Sequence, residues 1–178
     1  SGVLEKSFYA VGVNSYDVTV VAYGTAGSPS STTFTIEVLA TYTPPADLVQ
    51  ALTGGSSKTW RVKSEVGQHF GLGPVGGLIP CEWYGAGPED KVGTGTYDDR
   101  WTFNSDGTLN HMTNGTIFGR SAQVYAELGN NGTGGEDGAD VLNYEYADYT
   151  ENWNIINPGQ ISIKLTNNAF FTYYTGGS

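Results

Sequence analysis

Two stretches near the start of the chain, residues 16–23 and 32–39, alternate apolar and polar positions. An alternation with a period of two is typical of β-strands that bury one face. Residues 24–30 between them are rich in glycine, serine and proline, so the pattern predicts a hairpin loop. A shorter strand is predicted at residues 3–8, and a turn at residues 14–15. The apolar positions of the two long strands are Tyr16, Val18, Val20, Ala22, Phe34, Ile36 and Val38.

Residues 43–45, Thr-Pro-Pro, end this strand-rich region and favour an extended linker. Residues 46–52 follow with a helix-forming composition, and the glycines at 54–55 favour the end of that helix. We predict this helix as the only one in the chain. The linker also predicts a domain boundary, which separates residues 1–43 from residues 44–178.

Residues 44–178 predict a second domain built of strands and turns. Turn signals such as Ser-Asp-Gly at 105–107 and Asn-Gly at 114–115 separate the strand-like runs. Residues 119–151 are polar, glycine-rich and acidic, which favours loops with short strand pieces. Three tryptophans lie in phase with apolar neighbours and are expected in the core: Trp60, Trp101 and Trp153. The predicted strands are residues 58–66, 97–104, 108–113, 116–118, 153–156, 160–165 and 169–174.

Composition narrows both the fold class and the partners. Glycine contributes 26 of 178 residues and charged residues only 15%, a balance that favours an all-β fold with many turns. The formal net charge of −10 disfavours nucleic acids and anionic surfaces, because phosphate binding needs clustered lysines and arginines. The single cysteine, Cys81, allows no internal disulfide. No apolar run reaches the roughly 18 residues of a membrane-spanning helix. Because the sequence starts directly on a strand-like stretch, we expect a piece of a longer precursor, for which a missing signal segment carries no information.

Residues 81–93 depart from the strand pattern and form the first candidate for a functional site. Trp83 and Tyr84 stand side by side among glycines, which predicts a loop rather than an ordinary strand. A pyranose ring stacks its apolar face on an aromatic ring, and its hydroxyls need hydrogen-bond partners, so this composition suits a sugar. The alternatives are aromatic rings folded onto the core and a solvated charged loop. Three charged residues could supply the polar contacts: Glu89, Asp90 and Lys91.

Other candidates for chemistry are weaker. His69 and His111 are isolated in the sequence, and with one cysteine no zinc-ligand spacing is present. The acidic run 136–140 could bind a structural calcium ion, but it lacks the EF-hand spacing, which favours a solvated loop and no cofactor. The carboxylates lie outside any recognisable catalytic motif, so a binding module is favoured over a hydrolase or lyase. If residues 83–84 do not bind a ligand, the segment 144–153 is the next candidate.

Segments 7–8, 16–22, 26–27 and 33–38 form a further pattern. Together they resemble the C-terminal half of an immunoglobulin-like PKD domain, a module that usually separates functional domains. The resemblance implies a partial immunoglobulin-like sandwich, since three strands lack the partner sheet that would cover their apolar faces.

Five blocks spread over residues 48–178 form a second pattern. As a set they resemble modules of multidomain surface proteins from Bacteroidetes polysaccharide-utilisation systems, which often follow PKD-like domains. Family members usually continue beyond the Tyr-Tyr-Thr-Gly-Gly block into one or two further strands, whereas this sequence stops there. The blocks are residues 52–60, 69–74, 83–84 with 88–91, 97–108 and 169–177.

This second resemblance implies a β-sandwich or jelly-roll-like carbohydrate-binding domain with one short helix at its start. The implied ligand is a neutral β-glucan such as laminarin, bound without catalysis at the bacterial cell surface. The implied partner is an outer-membrane glycan transporter complex. A structural spacer or adhesion segment and an accessory domain of a glycoside hydrolase stay open as alternatives.

Overall fold

The computed structural model describes residues 12–24, 27–40, 42–74, 76–129, 135–157 and 161–177. The strand predicted at 3–8 and part of the turn predicted at 157–159 lie outside them. The chain divides into two compact units. The first holds the described parts of residues 1–46 and 154–164, and the second those of residues 47–153 and 165–178. The elements are β1 Gly12–Tyr23, β2 Pro29–Ala40, α1 Ala46–Thr53, β3 Ser57–Trp60, β4 Gly71–Leu72, β5 Tyr84–Gly85, β6 Arg100–Asn104, β7 Thr108–Met112, β8 Thr116–Arg120, α2 Ser121–Glu127, β9 Glu136–Asp137, β10 Asp140–Glu145, β11 Tyr149–Ile156 and β12 Ser162–Leu165.

The first unit contains a long antiparallel hairpin of β1 and β2. Its register sets Tyr16 opposite Ile36 and Val18 opposite Phe34, so the apolar positions of the two strands share one face as predicted. The turn predicted at residues 14–15 is wrong, because both residues pair with β2 and the strand begins at Gly12. Among the described side chains of this hairpin none is buried.

A five-stranded sheet, in the order β12-β11-β7-β6-β3, is the largest sheet of the described chain. The hairpin of β6 and β7 turns at residues 105–107 as predicted and sets Phe103 opposite Leu109. Both of these side chains are buried, because strand residues two apart point to the same face. β3 is shorter than the predicted strand 58–66, since it ends at residue 60, and β11 is longer than predicted, since it begins at residue 149.

Two of the three tryptophans expected in the core are buried there. Trp101 and Trp153 confirm the prediction, but Trp60 is 40% exposed. Trp60 ends β3, an edge strand, where its Nε1–H donates to the carbonyl of Leu52 at 3.0 Å and Lys58 Nζ lies 4.0 Å from the ring centroid. An edge position leaves one flank of a large ring open, so period-two phasing alone misplaced it.

A second sheet, in the order β8-β10-β9, packs with the helix α2. The sequence predicted only loops and strand pieces over residues 119–151, so this second helix corrects the expectation of a single one. Val124 and Leu128, four residues apart, face the core, and Gly129 follows with φ of 99°, a typical helix-ending conformation. The sequence contains these helix signals, but the polar, glycine-rich residues around them favoured a prediction of loops.

The segment 169–174 does not form the strand that the sequence predicted. Its only pairing with a described strand is a single parallel bridge between Tyr174 and Gly119. Phe170 and Tyr174 instead fill the core beside Ile117 of β8, while the Phe170 carbonyl accepts a hydrogen bond from Trp101 Nε1 at 3.1 Å. This segment therefore packs between the two sheets and gives the second unit its sandwich-like character.

The described chain is mostly antiparallel β-sheet, which confirms the all-β fold class and the short helix at residues 46–53. Neither helix in the described ranges combines the length and the apolar character that crossing a bilayer requires.

Candidate functional site

The predicted site lies in the segment 67–93, called the aromatic loop below; residue 75 within it is not described. β4 and β5 pair antiparallel inside this loop and set Leu72 opposite Tyr84. Tyr84 and Gly85 therefore lie in a short strand, which corrects for Tyr84 the expectation that the glycines keep the aromatics out of strand geometry, whereas Trp83 lies just before the strand. Three backbone hydrogen bonds flank the pair: Trp83 N–H to Leu72 O at 2.9 Å, Ala86 N–H to Phe70 O at 2.8 Å and Gln68 N–H to Ala86 O at 2.7 Å.

Glycine is required at the centre of this pairing for a steric reason. A Cβ on Gly71 would lie 2.7 Å from Cys81 Cβ and would overlap Cys81 Sγ and the carbonyl oxygen of Tyr84. Gly85, the partner of Gly71, has Cys81 Cβ at 3.2 Å from the same hypothetical position. The two glycines thus leave space for the Cys81 side chain beside the paired strands β4 and β5. They help to fix the loop and do not make it flexible.

The aromatic loop also contains three non-glycine residues with a left-handed backbone: Gln68, Cys81 and Glu89, with φ of 65°, 55° and 61°. Such a conformation costs roughly 1–2 kcal/mol per residue in an L-amino acid. The surrounding ladder and hydrogen bonds must offset that cost, a pattern found often at functional sites.

Trp83 is 69% exposed and Tyr84 is 39% exposed. Within the described part of the second unit, every large apolar side chain more than half exposed lies in the aromatic loop. An exposed apolar surface of this kind commonly marks a binding site. The five residues concerned are Leu72, Leu78, Ile79, Trp83 and Val92.

The two predicted acidic residues stabilise the loop itself. Glu89 Oε1 accepts from the Ser64 hydroxyl at 3.0 Å, and the Glu89 N–H donates to the Ser64 carbonyl at 2.9 Å. Asp90 Oδ2 accepts from the Gly87 N–H, which closes a turn next to the aromatic pair. Each carboxylate uses one oxygen in these bonds, and both residues are exposed.

Lys91, the third predicted polar residue, lies beside aromatic rings rather than acids. Its Nζ is 5.3 Å from the ring centroids of Phe70 and Tyr84, and 5.8 Å from that of Phe118. Among the described residues it has no ion-pair partner. Its backbone N–H donates to the Tyr97 hydroxyl at 2.8 Å. The structure thus brings Tyr84 and Lys91 together through a cation–π contact.

A buried polar network, which sequence reasoning missed, lies in the large sheet. His111 Nε2 is 2.9 Å from Asp99 Oδ2, its Nδ1 is 2.8 Å from the Tyr149 hydroxyl, and the side chains of Asp99 and His111 are 0% exposed. His111 is therefore not isolated. The available signal was that Asp99 and His111 are polar residues at inward positions of the predicted hairpin. The register pairs Trp101 with His111, and Asp99 precedes Trp101 by two residues on the same face, so it lies close to His111.

The protons of this network can be assigned so that His111 is satisfied on both nitrogens. Its Nε2–H donates to Asp99, its Nδ1 accepts from Tyr149, and the Tyr149 oxygen accepts from the Phe170 N–H at 3.3 Å. Asp99 Oδ1 is left without a hydrogen-bond partner among the described residues. Among the described residues, His111 therefore supplies the one hydrogen bond that compensates the buried Asp99 carboxylate.

Burial raises the pKa of Asp99 to about 6, from 3.8, although the hydrogen bond from His111 opposes this. The folded state then holds this proton more tightly than the unfolded state, so the contribution to stability is complete below about pH 4 and is lost as the pH rises through about 6. From about pH 4 to pH 7, wild type should lose up to about 3 kcal/mol of unfolding free energy relative to Asp99→Asn. Urea denaturation at both pH values measures the difference.

Asp106 is the control for that comparison. Hydrogen bonds from Thr108 lower the pKa of this exposed residue. Asp106→Asn should therefore change the pH dependence of the unfolding free energy in the direction opposite to Asp99→Asn, and by a smaller amount. If the stability difference between wild type and Asp99→Asn were constant with pH, folding would leave the pKa of Asp99 unchanged, contrary to the effect of burial.

The acidic run 136–140, the calcium candidate, is partly tied into the fold. Glu136 and Asp137 form β9, Glu136 accepts from the Tyr125 hydroxyl, and Asp140 accepts from the Tyr173 hydroxyl. Within the described residues no group of three or more histidine, cysteine or acidic side chains is arranged to hold a metal ion.

Comparison with known proteins adds no assignment to this geometry: no protein-family model matches the chain, and no curated protein matches it either. The likeness to PKD domains and to surface glycan-binding modules stays a prediction. The exposed, tied-down aromatic pair Trp83 and Tyr84 and the buried Asp99–His111–Tyr149 network are the features on which a function can be argued.

Proposed function

We propose that the aromatic loop binds a neutral polysaccharide without catalysing its cleavage. The observation that carries the proposal is Trp83, a large aromatic side chain that is 69% exposed on a backbone tied to β4. Stacking the apolar face of a sugar on this ring would contribute roughly 1–2 kcal/mol by buried area. Because the loop is already ordered, little conformational entropy is lost on binding.

Polar groups for the sugar hydroxyls lie in the same loop, and Lys91 contacts the Tyr84 ring. Glu89 Oε2 and Asp90 Oδ1 make no hydrogen bond within the described residues, so each can accept from a hydroxyl. Lys91 has an ammonium group without an acidic partner there, so it can donate. Hydrogen bonds to charged groups contribute roughly 1.5–3 kcal/mol when shielded from water.

A binding role is favoured over hydrolysis by what the loop carboxylates do. A glycosidase holds two carboxyl groups at a defined separation around the scissile bond. Here Glu89 accepts a hydrogen bond from the Ser64 hydroxyl, Asp90 accepts one from the Gly87 N–H, and the buried Asp99 is enclosed in the core. The net charge of −10 favours a neutral glycan over a uronate or sulfated polymer.

The finer parts of the proposal come from the resemblance of the sequence to surface glycan-binding modules. On that basis we propose a β-glucan such as laminarin as the ligand, the outer bacterial surface as the location and a glycan transporter complex as the partner.

The test is affinity electrophoresis and calorimetry with laminarin, mixed-linkage β-glucan, starch and alginate. Trp83→Ala is expected to weaken glycan binding about tenfold or more, and Tyr84→Ala by a smaller factor, because each variant removes a stacking surface. Trp60→Ala is the matched control, since it removes a half-exposed tryptophan outside the loop. Failure of every glycan to bind would favour a spacer or adhesion role, and release of reducing sugars would favour an enzyme.

A further inference from the structure

A cavity lies outside the aromatic loop, at the start of β11 and in the turn that follows β12. Its volume is about 160 Å³. Sites for drug-sized ligands measure about 300–1,000 Å³, so this one accommodates a ligand of roughly one sugar ring. We call it the tyrosine pocket. It is lined by Tyr146, Tyr149, Glu151, Asn167, Asn168 and Ala169.

Hydrogen bonds within the protein hold three of the lining side chains in place: Tyr149, Glu151 and Asn167. The Tyr149 hydroxyl bonds to His111 and accepts from the Phe170 N–H, at 2.8 and 3.3 Å. The Glu151 carboxylate accepts from Asn167 Nδ2 at 2.8 and 2.9 Å, and from the Thr166 hydroxyl at 2.6 Å. The pocket is thus ordered before any ligand arrives, which reduces the entropic cost of binding.

Two other lining side chains have unused hydrogen-bonding capacity. In the described part of the chain, neither the Tyr146 hydroxyl nor the Asn168 side-chain amide has a hydrogen-bond partner. Burial raises the pKa of Tyr146, so its hydroxyl is protonated and can donate. The Tyr146 and Tyr149 rings meet edge to face, with centroids 5.8 Å apart, and supply an apolar wall.

The charge of the pocket narrows the ligand class. Of the described residues that line it, Glu151 is the charged one, and none is a lysine or arginine. The hydrogen bonds from Thr166 and Asn167 lower the pKa of Glu151, which keeps the carboxylate ionised near neutral pH. An anionic ligand would be repelled, whereas a hydroxyl can donate to the remaining acceptor site of the carboxylate.

We propose that the tyrosine pocket binds one neutral pyranose residue, as the end or a branch of a glycan chain, with Tyr146 and Asn168 as direct hydrogen-bonding contacts. It uses no residue of the aromatic loop, so it does not depend on the function proposed for that loop. Two such sites on one domain would let the chain hold a glycan at an internal stretch and at a terminus.

The experiment is an NMR titration of the ¹⁵N-labelled full chain with methyl β-D-glucopyranoside, methyl β-D-galactopyranoside and methyl α-D-mannopyranoside. Concentrations up to about 100 mM are needed, because a ligand this small binds with a Kd on the order of 1–10 mM. We expect at least one glycoside to shift the side-chain amide of Asn168 and the backbone amide of Tyr146. Methyl β-D-glucuronide, which adds a negative charge to the same ring, should bind at least fivefold more weakly than the glucoside.

Tyr146→Phe should weaken the binding of the glycoside that causes these shifts roughly 3- to 10-fold, because the variant loses one hydrogen bond and keeps the aromatic ring. Tyr23→Phe, at an exposed tyrosine of the first unit, should leave the Kd unchanged. The pocket shifts should persist in Trp83→Ala, which separates this site from the aromatic loop. The proposal is overturned if no neutral glycoside shifts the pocket residues, if only Trp83 and Tyr84 shift, or if the glucuronide binds as tightly.

Discussion

Replacing His111 with alanine is expected to lower the unfolding free energy of the second unit by about 3–5 kcal/mol, enough to unfold a marginally stable domain. The histidine ring packs against Trp101, Tyr149 and Phe170, with centroid distances of 4.9, 5.0 and 5.2 Å. Its removal leaves a cavity in the core and the Asp99 carboxylate without its partner. Both consequences act in the same direction.

Urea denaturation followed by tryptophan fluorescence measures this effect, because all four tryptophans lie in the second unit. His69→Ala is the matched control. His69 lies in the aromatic loop, outside the core, and bonds to Tyr97 and to the Val66 carbonyl, so its loss should cost about 1 kcal/mol or less. If His111→Ala cost no more than His69→Ala, His111 would not be compensating the buried carboxylate.

A double-mutant cycle separates the orphaned charge from the cavity. Adding Asp99→Ala to His111→Ala removes the unpaired carboxylate, so the double variant should be more stable than the sum of the two single effects predicts. We expect a coupling free energy above about 1 kcal/mol, within the range for residues in contact. Simple additivity would mean that packing alone accounts for the role of His111.

Gly71→Ala is expected to disrupt the aromatic loop and to reduce glycan binding more than tenfold. The new Cβ would overlap Cys81 and the Tyr84 carbonyl, so β4 must separate from β5. Overpacking of this kind costs about 1–3 kcal/mol, and here it falls on a local ladder rather than on the core. The Trp83 N–H, which donates to the Leu72 carbonyl, should lose its protection from hydrogen exchange.

Gly73→Ala provides the comparison two residues away. Its Cβ would meet no atom closer than 3.5 Å, and Gly73 has no left-handed backbone, so exchange protection and binding should stay near wild type. Loss of protection at Trp83 in both variants would mean that the segment tolerates no side chain, whatever the contact with Cys81. If Gly71→Ala lost exchange protection at Trp83 but bound glycan normally, the pairing of β4 with β5 would still be established. Its role in positioning Trp83 for binding would be contradicted.

Residue pattern alone predicted much of the architecture. The hairpin of β1 and β2, the helix α1, and the pairing of β6 with β7 across residues 105–107 all follow from alternation and turn chemistry. The same alternation predicted the burial of Trp101 and Phe103. These features are local, because the direction of a side chain along a strand is decided by its neighbours in sequence.

For the candidate site too, the sequence predicted local features and missed contacts between residues far apart in the chain. Composition located the exposed pair Trp83 and Tyr84, since adjacent aromatics among glycines are visible in the sequence. It did not indicate why the glycines are there, because the overlap between Gly71 and Cys81 arises only when β4 pairs with β5. Nor did it predict Lys91 against aromatic rings, since Phe118 comes from a distant strand.

The sequence by itself determined the all-β class, the strand faces, the first helix and the aromatic character of the loop. Only the tertiary structure decided that Asp99, His111 and Tyr149 form one buried network, and that Tyr146 and Asn168 share a pocket. Those residues are separated by many positions along the chain, and their contacts depend on sheet register and on the path of the segment 166–170, which ends at the buried Phe170. Alternation specifies which way each side chain points, but not which distant side chain it meets.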